Sequence, residues 1–264
     1  MTNTTTFGNV IDKVHVNSIN HFDEVMPVHE MSFDSLNQMW ISGKQVPVAL
    51  TAQRLLSNRL RVPYSYLSRC PAELQAQNLN YWIEQESQRR ETFFCRFNGD
   101  TLRAIFTERY KPLDNMEILG QIIEQGFNNT NLKVQYSLDH GMFLLKIPEF
   151  SKAFGVNSGH GPLDEIVPGL AFTNSEVGLI AFSIESYFYR LVCTNGLISV
   201  AKASSKKFKS APRGWRTSLK ACLLSWTTQS VIKMPSNYLA SPMWITQWLP
   251  LKVSASVLGC LKMK

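Results

Sequence analysis

The sequence predicts an α+β fold: an antiparallel sheet of hairpins packed with a few helices, ending in an irregular basic tail. Two observations carry this. Alternating apolar runs meet at glycine turns, and helical stripes fall between them, so hairpins alternate with helices instead of following strict β-α-β order.

The first 44 residues are weakly patterned from Val14 through Val16, Ile19 and Phe22 to Met26 and read as an N-terminal arm. From Thr51, a candidate N-cap, Leu55, Leu56 and Leu60 recur at helical spacing, and Pro63 reopens a second short helix where its missing N–H is harmless. The pair has helix-turn-helix spacing, with Ala52, Leu56, Val62 and Leu67 as core positions. Gln53, Arg54, Tyr64, Ser65, Ser68 and Arg69 point outward, and Arg61 stands at the turn, where glycine is commoner. Pro71 begins a third helix that turns Leu74, Leu79, Trp82 and Ile83 to one side.

The period then changes to two. Phe93, Cys95 and Phe97 alternate with Phe94, Arg96 and Asn98, and Leu102, Ala104 and Phe106 alternate with Arg103 and Ile105, joined by Asn98-Gly99. Asp114-Asn115-Met116-Glu117 has the form of a capping box, Ile118, Leu119, Ile122 and Ile123 form a stripe, and Gly126 stands where a C-cap glycine belongs. A second hairpin, residues 134–138 and 142–147, turns at Asp139-His140-Gly141. Strands follow over 170–173, 177–184 and 187–193, and Asn195-Gly196 turns into 197–200.

A chain of 264 residues buries roughly 70 to 75% of its unfolded surface. An apolar content of 44% with 18% charged residues lies far from disordered compositions. No apolar run reaches membrane-spanning length and the Thr- and Asn-rich start is not a signal peptide, so no membrane partner is expected. The five cysteines are odd in number and widely spaced, which fits reduced thiols in a cytoplasm.

Charge divides the chain in two. Residues 1–185 carry a net charge of −5, and residues 186–264 carry +12 with no acid at all. Past Ala203 neither periodicity persists, and four of the six tryptophans lie between Trp215 and Trp248. Residues 204–264 therefore read as a separate domain, a basic tail, or an out-of-frame read-through such as a frameshift produces.

Between these segments, particular strings accumulate: Arg61-Val62-Pro63-Tyr64-Ser65-Tyr66-Leu67, Cys70-Pro71-Ala72-Glu73-Leu74-Gln75-Ala76 with Asn78-Leu79-Asn80, Arg109-Tyr110-Lys111-Pro112-Leu113, and Pro168-Gly169-Leu170. With Phe188-Tyr189-Arg190-Leu191-Val192-Cys193-Thr194-Asn195-Gly196-Leu197, they resemble the phage/plasmid-like protein family, a domain-of-unknown-function family of prophages, plasmids and integrated elements. The resemblance covers residues 45–203, taken as one domain, and implies a mobile-DNA setting. It implies no chemistry residue by residue, and the charged helical region that follows in similar proteins is lacking here.

No catalytic site, metal site or cofactor is read. Cys193 invites a nucleophile reading, but no histidine stands near it in sequence and it falls on a strand, so a structural thiol is expected. His15 and His21 with Asp23 and Glu24 match no zinc spacing, and His140 and His160 sit in turns. Arg96 and Arg103 are expected on one solvated hairpin face, followed directly by Arg109, Tyr110 and Lys111, with Arg190 on the same sheet and Lys206, Lys207 and Lys209 in the tail. A basic sheet face interleaved with aromatics is what backbone tracking and base stacking require. The expected function is a non-enzymatic mobile-element accessory protein that binds nucleic acid, single-stranded DNA in recombination or replication being the leading form, with self-association left open. The alternative is a protein-interaction module, such as a host-defence antagonist or regulator, with an exposed apolar patch and no nucleic-acid binding.

Overall fold

The computed structural model describes residues 3–150, 153–156, 164–191, 198–208, 216–217 and 220. It is an α+β fold of helices and three antiparallel sheets, distributed over two compact units.

The first unit comprises residues 1–12, 114–174 and 180–264. Its sheet runs β1 (Asn3–Thr6), β8 (Lys133–Leu138), β9 (Phe143–Pro148), β11 (Asp164–Asn174), β12 (Phe182–Leu191) and β13 (Ile198–Phe208), with β10 (Phe154–Val156) paired to β11. Tyr136, Leu145, Phe172 and Ile184 occupy successive partner positions across four strands, and all are buried, so period-two alternation sets the register. On the opposite parity of β11, Gly169 pairs with Tyr187, whose ring occupies the space a Cβ at 169 would need, beside Val167 and Ala171. The second expected hairpin is β8–β9, and the Asp139 carboxylate closes its turn on the amides of Gly141 and Met142 at 2.8 and 2.7 Å. Helix α5 (Asn115–Glu124) buries Ile118, Leu119 and Ile122. Asp114 is its N-cap but makes no side-chain capping bond, and Gly126 follows the helix at φ +97°.

The second unit comprises residues 13–113 and a short return over 175–179. Two three-stranded sheets share one core: β2 (His21–Pro27), β6 (Thr92–Asn98) and β7 (Thr101–Phe106), and β3 (Met31–Ser35), β4 (Gln38–Ile41) and β5 (Lys44–Pro47). They meet where Val48 bridges Leu102 and the Ala49 amide donates to the Leu102 carbonyl at 2.9 Å. Helices α2 (Leu50–Arg59), α3 (Tyr64–Leu67) and α4 (Ala72–Ser87) line the core with Ala52, Leu56, Leu67, Leu79 and Ile83. Helix α4 also seals the β3 edge. Asn80 Oδ1 accepts from the Phe33 amide at 2.7 Å while its Nδ2 donates to the Phe33 carbonyl at 2.9 Å, and Gln75 Oε1 accepts from the Leu36 amide at 2.9 Å.

Several expectations change. The first 44 residues are not an arm: they form β1, α1 (Phe7–Ser18), β2, a 3-10 turn, β3 and β4. The stripe that fixes α1 is Phe7, Val10 and Val14, all buried, whereas Val16 and Ile19 are exposed. Helix α2 is capped at Ala49, ahead of Thr51. Leu74 and Trp82 of α4 are exposed while Leu79 and Ile83 are buried. Residues 177–179 form a turn, with β12 starting at Phe182, and β13 continues past Ala203 to Phe208. Among the described residues, no helix is long and apolar enough to cross a membrane.

Candidate nucleic-acid interface

The first hairpin forms as its sequence dictates, with a two-residue turn at Gly99-Asp100 and Gly99 at φ +54°. Its arginines face the opposite way from the expectation. Cys95 pairs with Ile105 and Arg96 with Ala104, but Phe97 pairs with Leu102, so Arg103 is the extra residue of a bulge. That bulge brings Arg96 and Arg103 to one acidic residue, Glu176, in the return segment.

Glu176 is buried, at 6% exposure. Arg103 Nη1 donates to its Oε2 at 2.7 Å, and Arg96 Nη1 donates to its backbone carbonyl at 2.8 Å. Asp23 stands directly across β2 and β6 from Arg96 and accepts from its Nε at 2.8 Å. His21 Nδ1 lies 3.4 Å from Glu176 Oε2, and the Tyr110 hydroxyl donates to the Glu176 carbonyl at 3.5 Å. Tyr110 stacks on Phe106 at 3.7 Å between centroids, and Gly178, at φ +72°, passes the Phe106 ring where a Cβ would lie 2.8 Å away.

Arg96 is 2% exposed and Arg103 9%. Burying guanidiniums this deeply is tolerable only against acceptors held in place, and here those acceptors are Asp23 and Glu176. The expected solvated basic face is therefore corrected. Arg96 and Arg103 do share a side of the hairpin, but they close an internal ion-pair network. Arg103 Nε and Nη2 are buried with no hydrogen-bond partner among the described residues.

The remaining expected residues are dispersed. Arg109 and Lys111 are exposed, while Tyr110 is half-buried by the stack. Arg190 lies on β12 between Ile166 and Ser199, and Lys206 and Lys207 lie on β13 opposite Ile184 and Ser183, all in the first unit. Lys209 lies outside the described residues, as do Cys193 and His160.

Another basic surface lies on α2 and α3. Ala52, Leu56, Val62 and Leu67 are buried at the positions helical spacing assigns them, which leaves Arg54, Ser65, Ser68 and Arg69 exposed. Arg54 Cζ lies 5.4 Å from the Tyr64 ring centroid, and Arg69 Nε donates to the Ser65 carbonyl at 2.9 Å, so an arginine meets each of the first two residues of α3. Arg61 is exposed in the turn at φ +59°, and Tyr66 is 40% exposed. The signal that marks this surface is the gap between acids. No Asp or Glu occurs between Asp34 and Glu73, an interval that holds Lys44, Arg54, Arg59, Arg61 and Arg69.

No group of three or more His, Cys, Asp or Glu residues among those described could hold a metal ion. Cys70 and Cys95 are free thiols. No protein-family model, curated protein or solved structure matches the chain.

Proposed function

We propose that this protein binds single-stranded nucleic acid through the Arg54, Arg61, Arg69 and Tyr66 surface of α2 and α3, as a cytoplasmic accessory protein of a mobile element. One observation carries the reading: three exposed arginines lie on α3's flanking turn or against its first two residues, within a stretch of sequence that contains no acid. Phosphates are recognised by clustered guanidiniums with no competing carboxylates, and an exposed tyrosine offers a face on which a base can stack. Single strands are favoured over duplex because α3, at four residues, is too short to lie along a major groove as a recognition helix does. The strings resembling the phage/plasmid-like family support the mobile-element setting. Arg109 and Lys111 are further exposed cations of the same unit.

Fluorescence-anisotropy titration of the full chain with single- and double-stranded oligonucleotides at two salt concentrations tests this. Tighter binding of the single strand is expected, weakened by salt and by Arg54→Glu with Arg69→Glu. Absence of binding at about 50 mM salt, where electrostatic contacts are strong, overturns it.

A second reading, a protein-interaction module acting as a host-defence antagonist or regulator, rests on the exposed apolar side chains of α4. Tyr81 and Trp82 are 57% and 40% exposed and meet edge to face at 5.2 Å. Retention of a host protein after nuclease treatment, lost in Trp82→Ala, favours it.

A further inference from the structure

The ends of α2 and α4 bring two guanidiniums to one aromatic ring. Arg59, the last residue of α2, places Cζ 5.3 Å from the Phe93 ring centroid, and Arg90, just beyond α4, places its Cζ at 5.5 Å. Glu86, one turn earlier, accepts from Arg90 Nε at 3.0 Å. Arg59 is half-buried, and its Nε has no hydrogen-bond partner among the described residues.

Two cations and one carboxylate leave a single positive charge in excess. Burial, and then the charge of Arg90, hold the Arg59 guanidinium below its ordinary value, and Glu86 only partly opposes them. An anion would relieve that repulsion. Helix C-terminal carbonyls also favour nearby cations, so a purely structural role is the competing explanation. Arg90 remains 35% exposed on its side chain, and Arg61 and Arg89 are exposed nearby in sequence.

We propose that Arg59 and Arg90 together grip one phosphodiester of the bound strand against the edge of the Phe93 site, extending the α2–α3 interface past Arg61. The inference rests on the nucleic-acid reading and adds a subsite to it. The charge of one phosphodiester matches the excess charge of the cluster, and guanidinium forks suit its two non-bridging oxygens.

The test is the slope of log affinity against log salt for a single-stranded oligonucleotide and the full chain. Each phosphate contact contributes about 0.7 to that slope. Arg90→Gln is expected to lower it by about that amount. Arg59→Lys, which keeps the charge and loses the fork, weakens binding with the slope retained. Glu86→Gln frees Arg90 and tightens binding at every salt concentration. A structural ion pair predicts the reverse for Glu86→Gln, a less stable protein whose affinity does not rise, and that result, or an unchanged slope in Arg90→Gln, overturns the proposal. If the unaltered chain binds no oligonucleotide, the nucleic-acid reading fails by itself. Thermal denaturation in inorganic phosphate against chloride at matched ionic strength then decides the subsite: stabilisation lost in Arg90→Gln supports an anion site, and no stabilisation overturns it.

Discussion

Arg103 and Glu176 are joined at 2.7 Å across 73 residues of sequence, a buried ion pair that fastens the bulged hairpin strand to the return segment of the second unit. Replacing Glu176 with Gln keeps its shape but leaves Arg103 without a charge partner, which costs about 3–5 kcal/mol when a buried pair is broken from one side. Chemical denaturation is expected to show that loss. Adding Arg103→Met should recover most of it, because removing both charges spares their desolvation.

Asn80 acts as a strand substitute. Its amide makes both backbone bonds to Phe33 that a neighbouring strand would make. Asn80→Ala is expected to destabilise the fold by about 1–3 kcal/mol through the unsatisfied Phe33 groups. It should also open the β3 edge, so light scattering that rises with protein concentration is the accompanying result. Asn80→Asp, which keeps the acceptor and loses the donor, should fall between the two.

Arg61 occupies a left-handed conformation, φ +59°, that disfavours a side chain. Arg61→Gly relieves that strain and is expected to stabilise the protein by about 1 kcal/mol. The same change removes one exposed guanidinium from the proposed interface. A higher melting temperature combined with weaker oligonucleotide binding is the expected outcome, and unchanged binding would count against a contact at Arg61.

Burial first, and the Glu24 carboxylate second, push the Cys95 thiol up to about 12 from 9.0. The folded chain keeps a proton that the unfolded chain releases above about pH 9, so this contribution to stability is complete below that pH and is lost as pH rises toward 12. Denaturation midpoints should therefore decline across that window, and more steeply than in Cys95→Ala. Alkylation followed by peptide mapping should leave Cys95 unmodified in the native protein at mildly alkaline pH and modified in denaturant.

Local patterns were legible in the sequence wherever one short stretch decides its own burial. Ala52, Leu56, Val62 and Leu67 are buried where helical spacing puts them, both hairpins form around their glycine turns, and Gly126 takes the positive φ expected of its place after α5. The hairpin arginines were not legible. Alternation alone gives two faces and does not say which meets water; Glu176, which decides it, lies 80 residues beyond Arg96, in the gap between two expected strands. The bulge at Arg103 shifts parity by one residue with no local mark. Strand β2 was equally opaque, because its Phe22 and Val25 are exposed and leave no alternating stripe. The exposed arginines of α2 and α3 were visible as residues, but their distinction lies in the missing acids around them, a property of the interval more than of any motif.

The five-residue return that delivers Glu176 also sets a timetable for synthesis. Arg96 and Arg103 leave the ribosome 80 and 73 residues ahead of their acceptor, a delay of roughly 4 to 16 seconds at ordinary elongation rates. Until then the nascent hairpin carries two guanidiniums that keep their hydration and resist enclosure. The second unit is thus finished only after β11 of the first has been made, so the order of translation couples two bodies that are each compact by themselves.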